Sequence, residues 1–189
     1  MTEEVIQPAP PLYLIVIDPS LNRTGWAVFD ITADKIPKLK NYGYVDNNHF
    51  QSGKTGNKLI HIEMVMQTLK FAYYPAIVIK EEWVGPNKSK FGNTNTAAIT
   101  AYLLAGVHNT IVKVFNQHQI EEINNKQFKK SFTGNGNAEK SEVEAEVQKY
   151  RSRIWHRNNP LIIRTDDESD SIGIGIDWLI KKERIKKII

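Results

Sequence analysis

The run Leu12-Tyr-Leu-Ile-Val-Ile-Asp18 limits what this chain can fold into more than any other stretch. Its apolar residues make a strand suited to burial on both faces, and that strand ends in a carboxylate. Pro19-Ser-Leu-Asn-Arg-Thr-Gly25 then turns the chain, and a second apolar run, Trp26 to Phe29, follows at hairpin distance. An acid at the end of a buried strand is costly unless something pairs with it. A metal ion, a phosphate-bound cation or a buried Arg would each serve.

Composition narrows the setting. The 189 residues fit one domain, 12–189, preceded by a flexible lead-in over 1–11. That lead-in is acidic and Pro-rich, unlike a secretory signal, and no run of 18 apolar residues predicts a membrane span. With no Cys, disulfides and thiolate metal sites are excluded, which fits a cytoplasmic protein. None of the five His has a metal-ligand spacing, so a His-built zinc site is not expected. The net charge of +4 is compatible with nucleic acid, and its distribution says more. Eight Lys and Arg crowd residues 126–157, and Lys-Lys-Glu-Arg-Ile-Lys-Lys closes the chain, whereas acids gather near 166–170. Taken singly, each such Lys reads as part of a solvated face.

Leu39 to Val45 reads as a third strand and Asn47 to Asn57 as a polar loop. Lys58 to Phe71, with Leu59, Ile62, Met66 and Leu69 at helical spacing, predicts an amphipathic helix. Ala76 to Ile79 is a short buried strand leading into Lys80-Glu81-Glu82-Trp83, and Gly85 to Asn95 a surface loop. Thr96 to His108 predicts a buried helix, Ile111 to Phe115 a strand, and Gln119 to Ile123 a short strand or turn. After a helical turn over Asn124 to Lys130, Gly134-Asn-Gly136-Asn137 breaks the chain. Asn137 then N-caps a helix from Ala138 to Trp155, and a last helix starts within 166–170 and runs to about Ile185. The order βββαβαβααα gives an α/β fold, a mixed five-stranded sheet flanked by helices.

Three acidic sites stand out. Asp18 ends the first strand; Glu81, with Glu82 as its rival, ends the strand Ile77 to Lys80. Asp167 and Asp170, three apart at a helix start, project from one face, with Asp166 a rival to Asp167. Ends of neighbouring central strands lie side by side in such a sheet, where ligands bind. Carboxylates converging there require a cation. An all-oxygen donor set favours Mg²⁺ or Mn²⁺, and two such ions about 3.5–4 Å apart would activate a water against a phosphodiester. The last helix's dipole would keep Asp167 and Asp170 ionised. Read alone, Asp18 merely opens a turn and Asp167 merely caps a helix.

A second motif is basic. Gly134 and Gly136 allow backbone to approach a phosphate, and the following helix offers free N–H groups. Lys129 before the glycines and Lys140 in the first helical turn add charge beside it.

These motifs carry a resemblance. Ile-Asp18-Pro-Ser-Leu-Asn-Arg-Thr-Gly25 resembles the first motif of the RuvC family of Holliday junction resolvases, which cut four-way DNA junctions. Asp167-Glu-Ser-Asp170-Ser-Ile-Gly-Ile-Gly resembles its last motif. Phe128-Lys129-Lys130-Ser-Phe-Thr-Gly134-Asn-Gly136-Asn-Ala-Glu-Lys140-Ser-Glu-Val143 resembles the family's Lys, Gly-x-Gly, Ala-x-Lys-x-x-Val stretch. The three span Leu12 to Trp178. The resemblance implies a ribonuclease-H-like fold, a homodimer and Mg²⁺-dependent cleavage by paired symmetric nicks. Asp18, Glu81, Asp167 and Asp170 correspond to its four metal-binding acids, with Asp18 bridging the ions, and Lys129 and Lys140 to basic residues beside the scissile phosphate. Trp83 lies near an aromatic that stacks on unpaired bases, an interaction worth roughly 1–3 kcal/mol per base; a core Trp is the alternative. Lys88, Lys90, Lys130, Asn93, Asn95 and Asn137 become candidate DNA contacts.

The sequence departs from the family pattern twice. Ser20 replaces the usual Gly, and around the second acid the register is one residue out of step, landing on Lys80. Strand alternation puts Glu81 on one face with Ile79, and Lys80 with Glu82 on the other. Thr96 to His108 is expected to form part of the dimer interface. A small chain with no obvious extra partner-binding segment also fits a bacteriophage origin. The rivals are another ribonuclease-H-like nuclease, acting on other branched DNA or RNA–DNA hybrids, and a non-catalytic junction-binding protein. A two-domain sugar-kinase or actin-type ATPase does not fit in 189 residues.

Overall fold

The computed structural model describes residues 9–33, 35–51, 53–83, 95–155 and 160–188. Its strands are β1 (Tyr13–Asp18), β2 (Arg23–Asp30), β3 (Lys38–Asp46), β4 (Ala76–Glu81) and β5 (Ile120–Ile123). The helices are α1 (Thr55–Ala72), α2 (Asn95–Val114), α3 (Asn125–Thr133), α4 (Lys140–Ile154) and α5 (Asp166–Lys181). One sheet has the order β3-β2-β1-β4-β5; β1, β2 and β3 pair antiparallel, while β1-β4 and β4-β5 pair parallel. The antiparallel half comes from short hairpins, and the parallel half needs the helical crossovers α1 and α2. The expected mixed five-stranded sheet is present.

Period-two alternation splits β1 between two cores. Leu14 and Val16 join Phe29, Ile79, Phe128, Val143, Tyr150 and Ile172 beneath α3, α4 and α5. Ile15 and Ile17 join Val28, Ile62, Met66, Val78 and Ile111 beneath α1 and α2. Asp18 continues the even series toward α5, and Glu81 continues Ile77 and Ile79 on that same face.

Helix α5 is buried along Glu168–Leu179 and lies unusually close to the sheet. A Cβ on Gly175 would sit 2.2 Å from Phe29 Cε2, so only glycine admits this approach.

Four expectations change. Ile111 to Val114 ends α2 rather than forming a strand: Val107, Ile111, Val114 and Phe115 are all buried, a helical stripe on the sheet. The fifth strand is Ile120–Ile123. Helix α2 is buried on one side only, with Ile99 and Tyr102 exposed. Asn137 does not cap α4; Glu139 does, its backbone N–H donating to Glu142 Oε2 at 2.6 Å. The basic C-terminal run is not simply solvated either. Helix α5 ends at Lys181, and beyond it Arg184 donates to the Ile31 carbonyl at 3.1 Å while Ile188 N–H donates to Tyr150 Oη at 2.9 Å.

Candidate active site

The sheet register brings two acids together before any tertiary contact is considered. Ile17 lies opposite Lys80 in the parallel β1–β4 pair, so Asp18 and Glu81 are the next neighbours along it. Their carboxyls approach each other, and Glu81 disfavours the charge on Asp18. Asn125 Nδ2, at the start of α3, donates to Glu81 Oε1 at 2.8 Å.

The other two acids come from above, on the first turns of α5. Thr165 caps this helix, its Oγ1 accepting from Glu168 N–H at 3.2 Å, and Glu168 Oε2 accepts in return from the Arg164 and Thr165 amides. This Thr-x-x-Glu capping box satisfies the helix terminus, which frees Asp167 from a capping role. Asp166 is exposed and paired with Lys140 at 3.1 Å, whereas the Asp167 side chain is only 16% exposed and faces Arg23. One turn further on, Asp170 is buried, and its Oδ1 has no hydrogen-bond partner.

The electrostatics follow from this crowding. Burial pushes the Asp18 carboxyl well above the usual aspartate range, and Glu81, Asp170 and Asp167 push it further. Burial raises Asp170 to about 6, with Glu81 and Asp167 adding to the rise and Lys129 and Lys140 opposing it. Asp167 is also raised, mainly by burial, against Lys140 and Arg23. Lys140 is itself held above its usual range: burial opposes this, but the bond to Asp166 and the nearby acids outweigh it. Lys129 Nζ donates to the Ala138 carbonyl at 2.8 Å, which ties α3 to the loop before α4.

Among the described residues no three acids or histidines are already drawn around one ion position. The donor set nonetheless fits a hard divalent cation. It is all oxygen, it is buried, its charges repel, and Asp170 contributes an oxygen with no other partner.

The crowding has a measurable consequence. A carboxyl whose folded pKa is raised binds its proton more tightly when folded. For Asp170 this stabilisation is full below about pH 4 and is lost as pH rises through about 6. In EDTA at pH 8, Asp170→Asn is therefore expected to raise stability by on the order of 3 kcal/mol, or about 6–12 °C in Tm. The gain should vanish near pH 4. Melting both proteins across this pH range checks it; equal Tm values at pH 8 would contradict the cost of ionising the buried Asp170.

The structure separates the remaining candidates. Glu82 leaves the cluster and accepts from Asn124 Nδ2 at 3.1 Å. Gly134, with φ 88°, ends α3 in the left-handed conformation that favours glycine, and Lys130 and Asn137 lie exposed near it. Trp83 is 41% exposed just beyond β4, so it is not a core residue. Lys88, Lys90 and Asn93 lie outside the described residues, as does the side chain of Asn95. Ser20 needs no special backbone, since Glu183 is the only non-glycine residue with left-handed φ among the described residues. Sequence reasoning missed Arg23, Asn125 and the Thr165/Glu168 box. Only the box had a local signature, Thr-x-x-Glu before an apolar run.

Comparison with known proteins agrees with this fold. The family profile described as "Crossover junction endodeoxyribonuclease RuvC" matches residues 14–176. A curated protein of that description from Ehrlichia canis is 31% identical over 163 residues, covering 86% of this chain and 93% of its own. One from Rickettsia prowazekii is 24% identical, covering 91% and 99%. Among solved structures, Thermus thermophilus RuvC superposes with TM-score 0.64 at 15% identity, covering 90% of this chain and 96% of its own. The same protein in complex with a Holliday junction substrate gives 0.62 at 19% identity, covering 90% and 94%. The chain belongs to the RuvC family of crossover junction endodeoxyribonucleases.

Proposed function

We propose that this protein is a structure-selective DNA endonuclease that resolves four-way junctions by paired symmetric nicks. The observation that carries this reading is the convergence of Asp18, Glu81, Asp167 and Asp170 at the sheet's end, with Lys129 and Lys140 beside them. The four acids would hold Mg²⁺, or Mn²⁺, as two ions. When bound, these ions supply an activated water and stabilise the leaving oxygen of the phosphodiester.

The chain's own groups do the rest. Asp18, beside Glu81 and the α5 acids, would contribute to holding the ions. Lys129, fixed by the Ala138 carbonyl, and Lys140, fixed by Asp166, set positive charge beside the acids, where the phosphate must come to react. The glycine-flanked loop before α4 lets the strand come close to Lys140 in that helix's first turn, while Glu139 and Glu142 cap the helix itself. Trp83, exposed beside Glu81, offers a stacking face to an unpaired base, and Lys130 and Asn137 offer phosphate contacts.

A junction presents related strands about a two-fold axis, so paired cuts call for a two-fold dimer. Ile99 and Tyr102 of α2 and Ile60 and Met64 of α1 are exposed, which supports the mutually packed α1–α2 side as the contact. Sedimentation equilibrium of the protein and of Tyr102→Glu reads this directly: a dimer is expected to become a monomer.

The function is tested by incubating the protein with a synthetic four-way junction, a flap, a linear duplex and an RNA–DNA hybrid, with Mg²⁺, Mn²⁺ or EDTA. Opposed nicks in the junction, dependent on the divalent ion, are expected. Preferential cutting of the hybrid would replace the reading, and junction binding without cutting in either metal would end it.

A further inference from the structure

Arg23 is the one charged residue of the first motif, besides Asp18, that the site described so far leaves unused. It opens β2 on the opposite side of β1 from β4, β5 and α3, which carry Glu81, Asn125 and Lys129. Its position is fixed by backbone packing: a Cβ on Gly25, two residues along, would lie 2.1 Å from the Asp167 carbonyl oxygen. The start of β2 is thus pressed against the first turn of α5. The guanidinium lies over the ring of Tyr44 from β3, 5.7 Å from its centroid, which orients the plane.

A guanidinium so placed would be expected to grip Asp167 with two short bonds if its task were to hold that carboxylate. It does not. Only Nε approaches, at 3.8 Å from Oδ2, and that buried Nε has no hydrogen-bond partner. The side chain remains 42% exposed at the rim of the acid cluster. An oriented, partly exposed planar cation with unspent donors suits one ligand above others, a phosphate oxygen.

We propose that Arg23 binds a backbone phosphate of the cut strand, next to the cleaved linkage on its β2 side. The strand would then run between Arg23 on one flank and Lys129 on the other, with the acids between them. This assignment rests on the nuclease reading above and adds to it a further phosphate-binding residue.

The test is the salt dependence of DNA binding in EDTA, measured by fluorescence anisotropy for wild type, Arg23→Gln and Arg23→Lys. One lost phosphate contact lowers the slope of log K against log salt by about 0.9, about eight-fold in affinity at 0.1 M salt. Arg23→Gln should show this loss, Arg23→Lys should restore most of the slope, and the divalent-ion midpoint for single-turnover cleavage should stay in place. An unchanged slope in Arg23→Gln overturns the proposal. So does a shifted ion midpoint with an intact slope, which would make Arg23 a support for Asp167. If wild type binds duplex and junction equally, junction selectivity fails, while the slope measured on duplex still decides Arg23.

Discussion

Asp18→Asn is expected to reduce junction cleavage at least a thousand-fold, about 4 kcal/mol of barrier, while leaving junction binding in EDTA at or above the wild-type level. The substitution keeps the side chain's shape, so β1 and its pairing with Gly25 and β4 persist. It removes one charge from the most crowded point of the site, where burial and three acids already disfavour ionisation. Folding and DNA affinity therefore gain, and the loss falls on whatever that carboxylate binds during reaction. Glu81→Gln should show a comparable loss. Glu82→Gln, a residue turned toward Asn124, should cleave nearly as wild type. Single-turnover cleavage alongside anisotropy binding separates the two effects. Near-wild-type cleavage by Asp18→Asn would remove the acid cluster from the chemistry.

The contrast between Glu81 and Glu82 shows how far the sequence was legible. Alternation along β4 placed Glu81 with Ile79, and the structure puts both on the face beneath α5. What alternation did not disclose is the fate of the opposite face. Lys80 is buried there, its Nζ 2.5 Å from Glu122 Oε1 and 3.1 Å from His108 Nδ1. Burial and the Lys80 charge lower His108 to about 4, so at neutral pH its ring is uncharged and its Nδ1 can accept from Lys80. Lys80 thus takes the position where the family register would place the acid, sustained by groups 28 and 42 residues away that no local pattern links to it.

The misplaced fifth strand has a similar origin. Ile111-Val-Lys-Val-Phe115 is short and β-branched, and such a run does not by itself distinguish strand from buried helix. Only the sheet beneath it, meeting Val107, Ile111 and Val114 at helical spacing, decides the matter. Arg23 was unreadable for a different reason. Its meaning depends on Tyr44 from one strand and Asp167 from a helix 144 positions further on, both reached by a long flexible side chain.

Gly25→Ala should have the largest combined effect on stability and activity. The added Cβ would meet the Asp167 carbonyl oxygen at 2.1 Å and carbon at 2.6 Å, and backbone cannot swing aside as a flexible side chain would. Either β2 withdraws from β1, breaking the Asp18–Gly25 pairing, or the first turn of α5 lifts from the sheet. Helix α5 is buried over most of its length and is held close at Gly175 by Phe29, so it has little room to rise as a body. Overpacking of this kind costs about 1–3 kcal/mol, and backbone against backbone belongs at the upper end. For a chain of this size that is about 6–12 °C in Tm. Cleavage should fall more steeply than stability, by about a hundred-fold or more, because a shift near 1 Å in Asp167 is enough to misplace the reacting groups. Gly56→Ala in α1, where the new methyl meets nothing within 4 Å, should leave both Tm and rate unchanged or slightly improved. Thermal melts and single-turnover rates on the two variants measure the contrast. Wild-type behaviour from Gly25→Ala would mean that α5 does not rest on β2, and the acids would then need another explanation for their meeting.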